Sequence, residues 1–177
     1  MPFYTPGISQ CSLCNGVIAH RDEVFGTWGV FSAEPELFVH CDALMHYSCF
    51  AAWPRREPFA RAYFDFWADE ERTNRYWARA YLDDRVLVTV NPFNGTDGEV
   101  RLLLSRVPCE ARVDLEHWER WLLAPETSIG RRLHPLVIEE FRVALPALRA
   151  ALPTADAVVQ AVDAESKGWT RKASEDP

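Results

Sequence analysis

The sequence predicts an α+β protein in which a small unit bearing cysteine and histidine precedes a larger core of helices and one β-hairpin. Three observations support this fold class. Two pairs of cysteine or histidine residues stand near the start, a β-branched segment is followed by a turn and a second apolar segment, and the remainder carries apolar residues at helical spacing. A chain of 177 residues suffices for one ordinary domain, or for a small module joined to a larger one.

The two pairs of side chains have the spacing of metal ligands. The first is Cys11-Ser-Leu-Cys14, and the second, after the 31 residues 15–45, is His46-Tyr-Ser-Cys49. Two such pairs complete one tetrahedral zinc shell, and a shell of four protein ligands is typical of structural sites, because catalytic zinc keeps one position open. The sequence therefore predicts one structural Zn²⁺ ion bound by Cys11, Cys14, His46 and Cys49.

One further cysteine competes for a ligand position. Cys41 stands beside His40, and a loop near the metal could present its thiolate in place of Cys49 or His46. The other histidines and the last cysteine stand apart from ligand spacing, so we expect ordinary surface or core roles for His20, His40, Cys109, His117 and His134.

Residues 8–56 resemble a treble-clef zinc finger, and more narrowly the first half of a LIM domain. In that family a Cys-x-x-Cys knuckle is followed by a histidine and cysteine pair with an aromatic residue behind it, here Phe50 after Cys49. The resemblance implies a β-hairpin and a short helix around one zinc ion. The spacer is longer than in the family, and no second Cys-x-x-Cys follows Cys49, so an arrangement with two zinc ions is not supported.

The elements of this first unit follow from local signals. Residues 15–18 and 21–25 are predicted as two short strands after a turn, with Gly16 at the positive φ that a metal knuckle often needs. The second ligand pair opens a short helix, because His46, Cys49 and Trp53 follow helical spacing and Pro54 ends it.

The middle of the chain combines helix and strand signals. From Pro58 to about residue 83 the aromatic residues recur at helical spacing, and Tyr76, Trp77 and Tyr81 continue the pattern, which predicts one long helix or two short ones. The β-branched segment 85–91 and the apolar segment 99–107 are joined by turn residues, which predicts a β-hairpin.

Three helices are predicted in the C-terminal part. The first is capped by Asp114 and ends before Pro125. The second begins at Pro135 and should be kinked or divided by Pro146, and the third covers residues 154–165. The predicted organisation is thus a zinc-binding module at 1–56, an α+β region at 57–165 packed on it, and a flexible tail at 166–177.

Composition limits the functions that fit this chain. The net charge of −7 is the wrong sign for a protein whose main task is to neutralise phosphates, so nucleic acid is not the expected partner. No stretch approaches the roughly 20 consecutive apolar residues that span a bilayer, and the start lacks a secretory signal. Five cysteines, two of them in a Cys-x-x-Cys, favour metal binding over disulfides. We expect a cytoplasmic protein without membrane contact.

The sequence lacks the common catalytic signatures. His-Glu-x-x-His, the Walker A motif, Gly-x-Ser-x-Gly and the His-x-Glu of zinc deaminases are all absent. We therefore expect no enzyme, but a zinc-stabilised protein that binds a protein partner, as an adaptor or a toxin-neutralising immunity-type protein. The alternatives are a nucleic-acid-binding zinc-finger regulator and a zinc-thiol redox switch.

Overall fold

Helices and antiparallel strands make up an α+β fold, as the sequence predicts. The computed structural model describes residues 3–29, 35–69, 77–90, 98–129 and 131–173. The strands are β1 (Val24–Gly26), β2 (Leu44–His46), β3 (Ala78–Leu82), β4 (Val86–Val90), β5 (Glu99–Leu104), β6 (Glu110–Asp114), β7 (Thr127–Ser128) and β8 (Arg131–Arg132). The helices are α1 (Pro35–Phe38), α2 (Tyr47–Ala52), α3 (Arg56–Ala68), α4 (Trp118–Leu123), α5 (Pro135–Ala151) and α6 (Ala155–Ala173).

The N-terminal unit contains a hairpin and a short helix, but its strands differ from the predicted ones. Strand β1 pairs with β2, which leads directly into α2, so that Val24 lies opposite His46. Residues 15–18 form no strand, and a single bridge joins Gln10 to Val17 instead. The buried side chains of Phe25 and Met45 lie opposite each other on these strands, which explains why β1 selects the distant partner.

A four-stranded antiparallel sheet with the order β3-β4-β5-β6 forms the centre of the larger region. The predicted hairpin is its β4–β5 pair. The helix predicted through Tyr81 is wrong from Ala78 onward, because Ala78–Leu82 pairs with β4 and packs against α6, while residues 70–76 of the prediction lie outside the described residues. Tertiary contacts there override the helical spacing of three aromatic residues.

Strand β6 was not predicted, although its sequence carries the signal. Ala111 and Val113 are buried and alternate with Glu110 and Arg112, which is the period of a strand with one apolar face. This strand completes the sheet on the side opposite β3.

The two faces of the sheet pack against different partners. One face carries alternate apolar residues of β4, β5 and β6, among them Val88, Leu102 and Ala111, which share a buried cluster with Trp118 and Phe141. The other face carries Leu87 and Leu103, which form a second cluster with Tyr63 and Phe64 of α3. Helix α3, which directly follows the N-terminal unit in the chain, thus packs on this face of the sheet.

Helix boundaries in the C-terminal part correct three predictions. Asp114 makes no side-chain capping bond, and a 3₁₀ turn, Leu115–His117, lies between it and α4. Of the two outcomes predicted at Pro146, division of the helix does not occur, because α5 continues through this residue from Pro135 to Ala151. Helix α6 extends to Ala173, beyond the predicted end near residue 165 and into the predicted tail.

Among the described residues, no helix combines the length and the apolar character needed to cross a membrane.

Candidate metal centre

The structure brings the four predicted ligands together. The sulfur atoms of Cys11, Cys14 and Cys49 and a ring nitrogen of His46 all lie within 4.8 Å of one another. His46 Nδ1 is 3.6 Å from Cys14 Sγ and 3.7 Å from Cys49 Sγ. Zinc bonds of about 2.0–2.3 Å place neighbouring tetrahedral ligand atoms roughly 3.5–3.8 Å apart. The group could therefore hold one metal ion.

The first knuckle is a tight turn that positions two thiols. The Asn15 amide donates to the Cys11 carbonyl over 2.8 Å, and Asn15, not Gly16 as predicted, adopts the positive φ of 57°. Asparagine tolerates this left-handed conformation better than most residues. The Gly16 amide donates to Cys14 Sγ at 3.3 Å, and a Cβ at Gly16 would lie only 3.2 Å from that sulfur. Gly16 is therefore needed for close approach to the cluster.

The second pair sits at a junction of strand and helix. His46 ends β2 and precedes the first residue of α2, and Cys49 follows within that helix. The His46 amide donates to Cys11 Sγ over 3.4 Å, and the Ser12 amide donates to the Leu44 carbonyl over 2.9 Å. These bonds hold the first knuckle against β2, so that the two ligand pairs lie next to each other.

The electrostatics of the cluster favour a cation. Burial disfavours the Cys11 thiolate, but hydrogen bonds from the backbone of His46, Leu13 and Cys14 outweigh burial and lower the pKa of Cys11. Burial, together with the neighbouring thiols of Cys14 and Cys11, raises the pKa of Cys49 to about 11. The Cys49 thiolate is thus disfavoured without a cation, whereas a bound divalent ion would compensate the thiolate charge and displace the proton.

The alternative ligand Cys41 lies outside the cluster. Its thiol donates to the Leu37 carbonyl over 3.7 Å. Its neighbour His40 packs edge-on against Trp53 with 4.6 Å between the ring centroids, and His40 Nδ1 is 3.2 Å from Ser12 Oγ. Both residues therefore support the unit from outside the ligand set.

The other isolated residues also lie outside the cluster. His20 is exposed, and His117 faces Asp114 with 3.5 Å between Nδ1 and Oδ2. His134 caps α5, because its Nδ1 accepts a hydrogen bond from the Leu136 amide over 3.2 Å. Cys109 is buried.

The sequence did not indicate one contact between the N-terminal unit and the larger region. Tyr47, which follows ligand His46, stacks on His134 with 4.0 Å between ring centroids and 9° between planes. The Tyr47 hydroxyl lies 3.4 Å from Cys109 Sγ. We call Tyr47, His134 and Cys109 the Tyr47 joint. No spacing in the sequence indicates it, because its members come from three distant segments.

The fold and the site define this chain as an α+β protein with one candidate Cys₃His metal centre. Comparisons with protein-family models, with curated proteins and with solved structures found no match to this chain. The metal centre and the surfaces of the chain itself are therefore the basis for proposing a function.

Proposed function

We propose that this protein is a zinc-stabilised, non-catalytic protein that binds a protein partner, as an adaptor or a toxin-neutralising immunity-type protein. The observation that carries the proposal is the closed ligand set of Cys11, Cys14, His46 and Cys49. Four protein ligands fill a tetrahedral shell, so the metal has no position for water or substrate and acts on folding rather than on a reaction.

The donor atoms favour zinc as the ion. Three thiolates and one imidazole suit zinc, whereas magnesium and calcium prefer oxygen ligands. The arrangement of β1, β2 and α2 around the ligands also supports a treble-clef-like unit, because a knuckle and the start of a helix contribute one pair each. Binding would hold together elements that are too short to fold alone.

Charge favours a protein as the partner. The net charge of −7 repels nucleic acid, whose affinity for proteins depends mainly on neutralised phosphates. A structural zinc site on an acidic protein is compatible with a role in recognising another protein, and an acidic surface can speed association with a partner of complementary charge.

The proposal is tested by metal analysis followed by partner capture. Elemental analysis of protein purified without a metal-affinity column should give about one zinc per chain. The zinc-loaded protein should then capture a protein partner by cross-linking and should not bind single-stranded DNA or RNA at low salt. Absence of metal, or tight salt-sensitive binding of nucleic acid, would contradict the proposal.

A zinc-thiol redox switch is a second candidate, favoured by the exposure of Cys14. Peroxide could oxidise the Cys11 and Cys14 thiolates to one disulfide, with two protons taken up and the peroxide reduced to two waters, and the metal would lose two ligands. Release of zinc by dilute peroxide, reversed by a thiol reductant with added zinc, would support this role. Retention of zinc would exclude it.

A further inference from the structure

We propose that a cleft beside β6 binds an acidic, partly apolar peptide segment of the protein partner, an inference that rests on the proposed function. The cleft lies between β6, α4 and the β7–β8 pair and has a volume of about 510 Å³. We call it the arginine cleft. Its lining includes Arg112, Arg120, Trp121, Ser128, Ile129 and Arg131.

The wall of the arginine cleft is held in place by three hydrogen bonds, each with a backbone group on at least one side. The Arg112 amide donates to Ser128 Oγ over 2.9 Å, and the Ile129 amide donates to the Arg112 carbonyl over 2.8 Å. Trp121 Nε1 donates to the Thr127 carbonyl over 2.7 Å. The strand, the helix and the turn are thereby fixed relative to one another, which reduces the entropic cost of binding.

The arginines of the cleft differ in how their charges are used. Arg112 contacts Glu110 at 2.6 Å and Glu99 at 3.5 Å, so its charge is balanced within the fold. Arg120 and Arg131 are exposed, and neither guanidinium forms an ion pair or hydrogen bond with a residue that the structure describes. These two cations are therefore available to a ligand, although the chain as a whole has a net charge of −7. A guanidinium binds a carboxylate in planar, two-point geometry.

Other residues of the cleft favour a peptide over a polyanion. Asp114 and Glu126 also line it, and Asp114 faces His117 at 3.5 Å. These carboxylates would repel a regular row of phosphates, whereas a short segment can place one or two carboxylates on Arg120 and Arg131 only. Ile129 is 46 % exposed and offers an apolar contact beside the cations. An Asp or Glu next to an apolar side chain is complementary to this combination.

The inference is tested by selecting random displayed peptides on the zinc-loaded, full-length protein. We expect the selected peptides to be enriched in Asp and Glu next to apolar residues. Their binding, measured by fluorescence anisotropy with synthetic copies, should weaken by about tenfold for Arg120→Gln/Arg131→Gln and should decrease with salt. A matched control is Arg85→Gln/Arg106→Gln, which removes equal charge from two exposed arginines outside the cleft and should leave binding nearly unchanged.

Several outcomes would overturn the inference. These are the absence of any selected peptide, selection of non-acidic peptides, equal losses in the two double variants, or displacement of the peptide by inorganic phosphate or single-stranded DNA as readily as by unlabelled peptide. Partner capture with wild type and Arg120→Gln/Arg131→Gln separates this from the proposed function. If wild type and variant capture the partner equally, the proposed function stands and the inference about the arginine cleft is wrong. If neither protein captures a partner, both the proposed function and the inference are wrong.

Discussion

The N-terminal unit and the central sheet achieve order by different means. The unit has strands of three residues and a helix, α2, of six, and its buried aromatic residues, Phe25 and Phe50, are only 5.3 Å apart at their ring centroids. The sheet has four strands of five or six residues and shares a buried cluster with residues of α5, a helix of 17 residues. Short elements have little surface to bury, so we expect the unit to depend on a metal cross-link, whereas the longer elements around the sheet contribute most of the buried apolar residues.

The two regions are nevertheless not independent. Residues of both belong to one buried cluster, in which Phe25 and Met45 join Val88 and Trp118. The Tyr47 joint provides a direct contact next to His46, a candidate metal ligand. We therefore expect metal binding to set the order of the N-terminal unit and to influence the sheet only through shared packing.

The largest expected effect comes from removing one metal ligand. In Cys49→Ser the ion loses a thiolate, and because apparent zinc binding free energies in finger peptides are on the order of 10 kcal/mol and act as folding energy, the N-terminal unit should unfold. Hydrogen exchange should increase across β1, β2 and α2, and zinc content should fall. The sheet should retain slower exchange than the unit.

The matched control is Cys41→Ser, the same atomic change at a thiol outside the cluster. It should keep about one zinc per chain and the exchange pattern of wild type. If Cys41→Ser loses zinc while Cys49→Ser retains it, the ligand assignment is wrong. If the sheet unfolds together with the unit, the two regions form a single cooperative structure.

The next effect concerns a charge network between strands β5 and β6. Glu110 contacts Arg101 at 2.5 Å and Arg112 at 2.6 Å, and the Arg101 and Glu110 side chains are only 7 % and 15 % exposed. Glu110→Gln would leave Arg101 buried without its counter-charge, which typically costs about 3–5 kcal/mol. Urea unfolding should detect this loss, while the zinc content stays unchanged.

This loss should depend on pH in a defined direction. Burial opposes ionisation of Glu110, but the charges of Arg101 and Arg112 outweigh it and hold the pKa below its ordinary value of 4.5. Because the folded pKa is the lower one, the contribution is complete above pH 4.5 and is lost as the pH falls through the folded pKa. The difference in the free energy of unfolding between wild type and Glu110→Gln should therefore become smaller as the pH falls below 4.5.

The exposed pair of Glu139 and Arg142 supplies the control Glu139→Gln, which we expect to change the free energy of unfolding by less than about 1 kcal/mol.

The sequence predicted features whose signals are local. Cysteine and histidine spacing sufficed for the metal cluster, Pro54 marked the region where α2 ends, and the β-branched segment gave β4. Each of these signals is carried by residues close together in the chain, and each ligand pair of the cluster can be recognised separately by its own spacing. The fold class and the cluster could therefore be predicted without knowledge of distant contacts.

Features decided by distant contacts were missed. The partner of β1 comes from residues 44–46, and β3 is a strand because β4 and α6 lie beside it. The Tyr47 joint and the arginine cleft combine side chains from separate segments, so no local pattern indicates them. The positive φ was predicted at Gly16 and occurs at Asn15, because both types tolerate it and only the knuckle geometry selects one.

A smaller effect tests how closely the first knuckle approaches the metal. Gly16→Ala would place a Cβ 3.2 Å from Cys14 Sγ, which is tighter than ordinary contact and must displace that ligand slightly. Displaced support around a ligand commonly lowers metal affinity by about 10–100-fold, and we expect the lower end of this range. Competition with a chromophoric chelator measures the change.

A second glycine of the same unit provides the comparison. Gly29→Ala would place its Cβ 3.9 Å from the Asp42 Cβ, an ordinary contact away from the cluster. Its zinc affinity should equal that of wild type. Equal losses in both variants would mean that the unit is sensitive to any added methyl group, and the role assigned to Gly16 would be lost.

The smallest effect is expected at the Tyr47 joint, where the two regions meet. Tyr47→Phe removes the hydroxyl that contacts the buried Cys109 thiol but keeps the ring that stacks on His134. A single neutral hydrogen bond contributes about 0.5–1.5 kcal/mol, and a bond to a thiol lies at the weak end of this range. The midpoint of urea unfolding should therefore shift slightly, and the zinc content should not change.

Alkylation of Cys109, followed by peptide mass spectrometry with and without a chelator, measures how strongly the metal is coupled to the Tyr47 joint. If metal removal loosens the joint, Cys109 should react faster in the chelated protein, and Tyr47→Phe should show the same acceleration. If Cys109 stays protected in both, its burial comes from the sheet alone, and the metal controls no more than the N-terminal unit.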